Sequence, residues 1–162
     1  MEDGFRTIAD AIQEAGGIDG VVGFSQGGAA AAMVASLLEP SRPQAFASGE
    51  AKAGMSYPDS FSSLRQTQPP LKFAVSYSAF LAPNPLYAAF YEPKISTPML
   101  HVVGTLDSVV EESRSLALVE ACVEPKVVYH PGGHFVPIGR EMVGALVGFI
   151  RQYCEEVNGA GG

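Results

Sequence analysis

Three side chains in this 162-residue sequence have the types and settings for nucleophilic acyl chemistry. They are Ser25 in GFSQG, Asp107 in VVGTLDSVV and His134 in HPGGHFVP. A serine hydroxyl is a weak nucleophile until a base takes its proton. Histidine supplies such a base, and a carboxylate can fix the imidazole tautomer and stabilise the imidazolium that forms. GFSQG is also a G-x-S-x-G turn, in which the serine sits on a sharp, strained corner that lifts its hydroxyl clear of a sheet. Gly23 and Gly27 are read as leaving room where side chains would collide with neighbouring backbone. The helix opening at Gln26 turns its amino end toward the site, so the Gln26 N–H is the natural donor to a developing oxyanion.

Each residue has a plainer reading. GFSQG can be a tight strand-to-helix turn that merely contains serine, and Asp107 can be a helix cap before SVVEESRS. The concurrence of the three favours catalysis. A phosphate loop is not supported, because the G-K-[ST] ending and the G-x-G-x-x-G spacing are both missing. His130 ends a predicted strand and His101 lies inside one, so both read as structural. His134, after Gly132 and Gly133, has the loop freedom to fold back across a sheet edge.

The elements that must position these residues follow from the apolar pattern. Phe5, Ile8, Ala9 and Ile12 form one helical stripe, closed by Gly16 and Gly17. Val21 to Phe24 is a short strand, and Gln26 to Leu38 an alanine-rich helix stopped by Pro40. Residues 39–70 predict a long loop with one short helix. LKFAVSY, MLHVVG and KVVYH predict further strands. Glu111 to Cys122 predicts a helix with acid in its first turn. Met142, Val143, Leu146, Val147, Ile150 and Tyr153 predict a strongly amphipathic one. Strands alternating with helices give an α/β protein with a parallel sheet, its strands buried on both faces. Ligand sites in such sheets lie at the carboxyl ends of strands. Ser25, Asp107 and His134 each follow a different strand, and their chain order is that of α/β-hydrolases.

Composition sets the remaining bounds. The net charge is −7 with no lysine or arginine cluster. That excludes nucleic acid and anionic membranes as main partners. No apolar run approaches a membrane span, and the first ten residues lack signal-peptide character. Cys122 and Cys154 stand far apart, which points to free thiols, a cytoplasmic setting and no metal site.

GVVGFSQGGAAAAMVASLL, PMLHVVGTLDSVV and VVYHPGGHFVP together resemble the FSH-type serine hydrolases, also called ovarian-cancer-gene-2-like hydrolases, a small α/β-hydrolase branch. The resemblance runs from about Gly4 to Phe149. It implies a Ser25–Asp107–His134 triad, hydrolysis of carboxylic esters or thioesters, and no metal or organic cofactor. Some fungal members resemble thioesterases that release or edit polyketide acyl chains in secondary metabolism, so the acyl group is expected free or carrier-bound. The resemblance also implies an apolar strand, a histidine-glycine loop and further strands ahead of the helix that leads to Ser25. Here Met1 stands almost directly before that helix. The expectation is therefore one α/β-hydrolase domain over residues 1–157, lacking its N-terminal strands and retaining about four, with a disordered tail at 158–162. The missing loop would supply a second oxyanion N–H, and losing one such donor costs about 10²–10³ in rate. The strand from Val21 would also show an unpaired edge that invites self-association.

On the substrate side, Tyr77, Phe80, Leu86 and Phe90 are candidate walls of an apolar acyl pocket. A rival reading from another class is a non-catalytic remnant that serves as a binding or assembly module through the exposed edge.

Overall fold

Four apolar runs form the strands of one sheet: GVVGF (β1, Gly20–Phe24), FAVSY (β2, Phe73–Tyr77), MLHVVG (β3, Met99–Gly104) and PKVVYH (β4, Pro125–His130). The computed structural model describes residues 1–50 and 53–159. All pairings are parallel, in the order β1-β2-β3-β4. Parallel neighbours need crossovers, and helices supply them. The crossovers run through α2 (Gln26–Leu37), α3 (Arg42–Glu50) and α4 (Asp59–Leu64) from β1 to β2, α5 (Ala88–Tyr91) from β2 to β3 and α6 (Glu112–Glu120) from β3 to β4, while α1 (Glu2–Glu14) precedes β1 and α7 (Arg140–Gly159) follows β4.

Every residue of β2 and β3 is buried, as expected of central strands. The flanking strands are not, and this corrects the expectation of strands buried on both faces. In β1, Val22 is 51% and Phe24 39% exposed. Pleating and register place these two beside Val75 and Tyr77 of β2, on one face of the sheet. On that face α7 packs Phe149 over Phe73, Val75, Tyr77, Leu100 and Val102. The opposite face carries the larger core, in which Phe5 of α1 lies against the rings of Phe61 and Phe90.

Residues 39–70 differ from the single short helix expected there. Two helices form, α3 and α4, although residues 51 and 52 lie outside the described residues. A buried ion pair anchors the first of them. Arg42 donates to Glu39 at 2.7 Å and to the carbonyls of Ala89 and Pro93. Glu39 in turn accepts from the N–H and hydroxyl groups of Ser96 and Thr97. A buried charge without such partners is strongly unfavourable, so this network fixes the 89–97 segment against the end of α2. Of the stretch 158–162, α7 includes the first two residues, and 160–162 lie outside the described residues.

Cys122 is buried and free, and burial pushes its thiol up to about 12. Cys154 is also free. Among the described residues no helix is long and apolar enough to cross a membrane.

Candidate active site

Ser25 occupies the single residue between β1 and α2, with φ 55° and ψ −119°. A non-glycine residue rarely adopts positive φ, and here the surroundings enforce it. The Ser25 N–H donates to the Tyr77 carbonyl at 2.7 Å, which extends the β1–β2 ladder by one bond. Its own carbonyl accepts from Gly28 and Ala29 in the first turn of α2. The corner is tight enough that a Cβ on Gly23 would sit 2.0 Å from the Gly27 carbonyl oxygen. The steric role read for Gly27 itself is corrected: a Cβ there meets nothing within 4 Å. The second constrained glycine is Gly28, whose Cβ would meet that of Ala79 at 2.7 Å.

Asp107 lies just past β3 and His134 just past β4, so both reach the same end of the sheet as Ser25. The His134 loop crosses back over the end of β3. Gly104 permits this, since a Cβ there would stand 2.6 Å from the Gly133 carbonyl oxygen. The result is a continuous chain of polar contacts. His134 Nδ1 is 2.8 Å from Asp107 Oδ2, and His134 Nε2 is 3.1 Å from Ser25 Oγ. The other Asp107 oxygen, Oδ1, accepts the N–H groups of Val109 and Val110, each at 2.9 Å. Burial by itself would raise the Asp107 carboxyl. The hydrogen bond from His134, the two N–H groups and the imidazole's charge outweigh it and hold the group below its ordinary value. An ionised carboxylate only accepts, so Nδ1 carries the proton and Nε2 is free to accept the serine O–H.

The remaining histidines lie apart from this chain. His130 is buried and accepts the Gly132 N–H at Nδ1. His101 is buried in β3 beside the Ser76 hydroxyl, and burial lowers it to about 4.

Gln26 is the first residue of α2, where N–H groups have no acceptor within the helix. It lines a cavity of about 460 Å³ together with Phe80. The other pocket candidates fall elsewhere. Leu86 lines a different cavity, of about 340 Å³. Phe90 is fully buried in the core, packed on Phe5 and Phe46. Tyr77 is buried under α7, and only its carbonyl reaches the site. Tyr77 and Phe90 are therefore core residues, because the even alternation of β2 and the short α5 turn their rings inward. Sequence reasoning missed Phe24, whose ring centroid is 4.8 Å from that of His134. Its position inside G-F-S-Q-G was the available signal.

Among the described residues no group of three or more His, Cys, Asp or Glu is placed to hold a metal. The arrangement can deliver a serine oxygen to an electrophilic carbon and move one proton between that oxygen and the imidazole.

A family model described as serine hydrolase (FSH1) matches residues 1–146. The chain is 38% identical over 136 residues to a Schizosaccharomyces pombe protein named dihydrofolate reductase, covering 84% of this chain and 26% of that protein. It is 32% identical over 157 residues to family of serine hydrolases 3 of Saccharomyces cerevisiae, covering 96% and 49%. It is 29% identical over 137 residues to esterase OVCA2 of Xenopus tropicalis, covering 85% and 49%. The chain thus spans about half the length, or less, of these curated relatives. Among solved structures, Zea mays acyl-protein thioesterase 2 superposes with a TM-score of 0.60 at 18% identity, covering 94% of this chain and 65% of that one. Esterase PE8 superposes with a TM-score of 0.56 at 21% identity, covering 90% and 56%. At these identities the likeness is one of fold, an α/β-hydrolase sheet.

Proposed function

The chain belongs to the serine hydrolase (FSH1) family, and on that premise we propose that it cleaves carboxylic esters or thioesters through an acyl-serine intermediate. The observation that carries the reading is the unbroken Ser25–His134–Asp107 chain at 3.1 and 2.8 Å. Ser25 Oγ attacks the acyl carbonyl while His134 Nε2 takes its proton. The negative charge that develops on the carbonyl oxygen is met by the Gln26 N–H and the amino end of α2. Collapse of the tetrahedral species breaks the bond to the leaving oxygen or sulfur, which takes the proton from Nε2. Water, deprotonated by the same nitrogen, then attacks the acyl-serine. The carboxylic acid departs, and the proton returns to Ser25. Asp107 keeps Nδ1 protonated throughout and stabilises the imidazolium.

In its finer form the proposal takes the acyl group as free or carrier-bound, in cytoplasmic secondary metabolism. The fungal thioesterase resemblance and the two free cysteines support it.

The test is labelling of the folded protein by a fluorophosphonate probe, with Ser25→Ala as control. Labelling of the parent and none of the variant is expected. A folded parent that takes no label overturns the reading. It would favour the second reading, an assembly module, for which the specific observation is the end position of β1 with Val22 and Phe24 exposed.

A further inference from the structure

His130 takes no part in the proton relay, yet its ring touches the chain on both sides of the base. The ring is buried, and Nδ1 accepts the Gly132 N–H at 3.2 Å. Its centroid stands 5.1 Å from that of Phe135, with the two rings inclined at 60°. Gly132 lies shortly before His134 in the chain, and Phe135 directly after it. One imidazole therefore grips the loop ahead of the base and behind it. Pro131 has no N–H, so the Gly132 amide is the first donor that this loop can offer after β4.

The seat of the ring is as specific as its contacts. His130 ends β4 and pairs in register with Gly104, which ends β3. A Cβ on Gly104 would stand 2.9 Å from His130 Nε2, so the ring occupies space that a side chain at 104 would need. A Cβ on Gly132 would fall 2.3 Å from the Phe135 ring and 3.1 Å from His130 Nδ1. The two glycines thus let backbone close around the imidazole. Acceptance at Nδ1 requires the neutral tautomer with its proton on Nε2. The connection continues to the carboxylate side of the relay. The Gly132 carbonyl accepts the Leu106 N–H at 3.0 Å, directly before Asp107. Gly132 is therefore tied by its N–H to His130 and by its carbonyl to the turn that carries Asp107. A side-chain acceptor bonded to the N–H two residues on is the geometry that asparagine makes in an Asx-turn. Here a histidine makes it, and its ring adds the contact with Phe135.

We infer that His130 is a positioning residue of the hydrolytic site: its Nδ1 acceptor and its ring together hold the 131–135 loop, and the loop holds His134 Nε2 at Ser25. The effect on rate presupposes the serine-hydrolase reading, whereas the placement of His134 is read separately, by a signal that needs no turnover. His130→Leu removes the acceptor, and His130→Asn restores one at nearly the same place. In folded His130→Leu, kcat for p-nitrophenyl acetate is expected to fall by about 10²-fold with KM little changed, the scale of a reacting group misplaced by about 1 Å. His130→Asn is expected to recover at least about tenfold of that loss. The proton that His134 Nδ1 shares with Asp107 gives a far-downfield NMR resonance. It is expected to be sharp in the parent and in His130→Asn, and broadened or lost in His130→Leu. Where His130→Leu does not fold, Phe135→Ala, at a half-exposed position, removes the ring contact alone and should lower kcat by about tenfold. An undiminished kcat or an intact resonance in folded His130→Leu overturns the inference, and so does an undiminished kcat in Phe135→Ala where that variant stands in for it. His130→Asn no better than His130→Leu also overturns it, since bulk and not the acceptor would then matter. A parent that neither turns over nor takes fluorophosphonate removes the serine-hydrolase reading, while the resonance in the parent and its loss in His130→Leu still decide the placement of His134.

Discussion

The most exposed link of the relay to mutation is the one farthest from the substrate. Asp107 is a dual acceptor: Oδ2 holds His134, and Oδ1 takes two backbone N–H groups from the following turn. Asp107→Asn keeps the shape but presents either an amide N–H to an imidazole N–H or a flipped amide to the two backbone donors. The wrong tautomer of His134 then faces Ser25, and kcat for ester turnover is expected to fall by about 10⁴-fold. A fall below about tenfold would show that other groups fix the imidazole. Ser25, Asp107 and His134 were legible in the sequence because each is a chemically distinctive residue in the turn that follows an apolar run. Phe24 was not. G-F-S-Q-G marks its position, but the approach of its ring to His134 depends on a loop from the far side of the sheet. The steric demand at Gly28 rather than Gly27 was likewise hidden, since it arises from contact with Ala79 after β2.

Strands and long helices were legible for the same physical reason that they form. Buried parallel strands are apolar runs, and α7 carries a continuous apolar stripe. The two short helices of residues 39–70, where one was expected, lack such signals. In α3 the sequence RPQAFASGE holds one large apolar residue, Phe46, and its place is set by the contacts of Arg42 with distant carbonyls. In α4 only six residues are helical, fewer than two turns. Within β3, His101 gives the sheet a pH response. Burial lowers it from 6.5 to about 4, so the folded chain keeps it neutral where the unfolded chain takes up a proton. The sign follows: stability from the neutral ring is complete above about pH 6.5 and is lost as pH falls toward 4, to an extent of about 3 kcal/mol. Denaturant unfolding at pH 7 and pH 5 should show the parent losing about 2 kcal/mol more than His101→Gln over that interval. Equal losses would show that other groups set the acid sensitivity.

At the scale of the whole molecule, the sheet has two outer strands, β1 and β4, each paired on one side. β1 has a single strand neighbour, and Val22 and Phe24 stand exposed beside it. On the same side, Val143 and Val147 of α7 are also exposed. An open edge next to an apolar face is a template for pairing. The net charge of −7 works against it by repulsion between copies. The mass measured by light scattering is therefore expected to rise with protein concentration and with salt, and Val22→Lys, which places a charge on the edge, should suppress the rise. A mass that stays monomeric under all conditions would show that the edge is self-sufficient. The relay is stretched over this same sheet. Ser25 leaves β1 at one edge and His134 follows β4 at the other, so two turns meet across the full width of four strands. Hydroxyl and imidazole are thus held like the two halves of a clasp, and the clasp closes only while every intervening strand keeps its register. Chemical reactivity of this serine is consequently a gauge of the entire sheet, and a sample that loses β4 or α7 by clipping or warming falls silent before its nucleophile has moved.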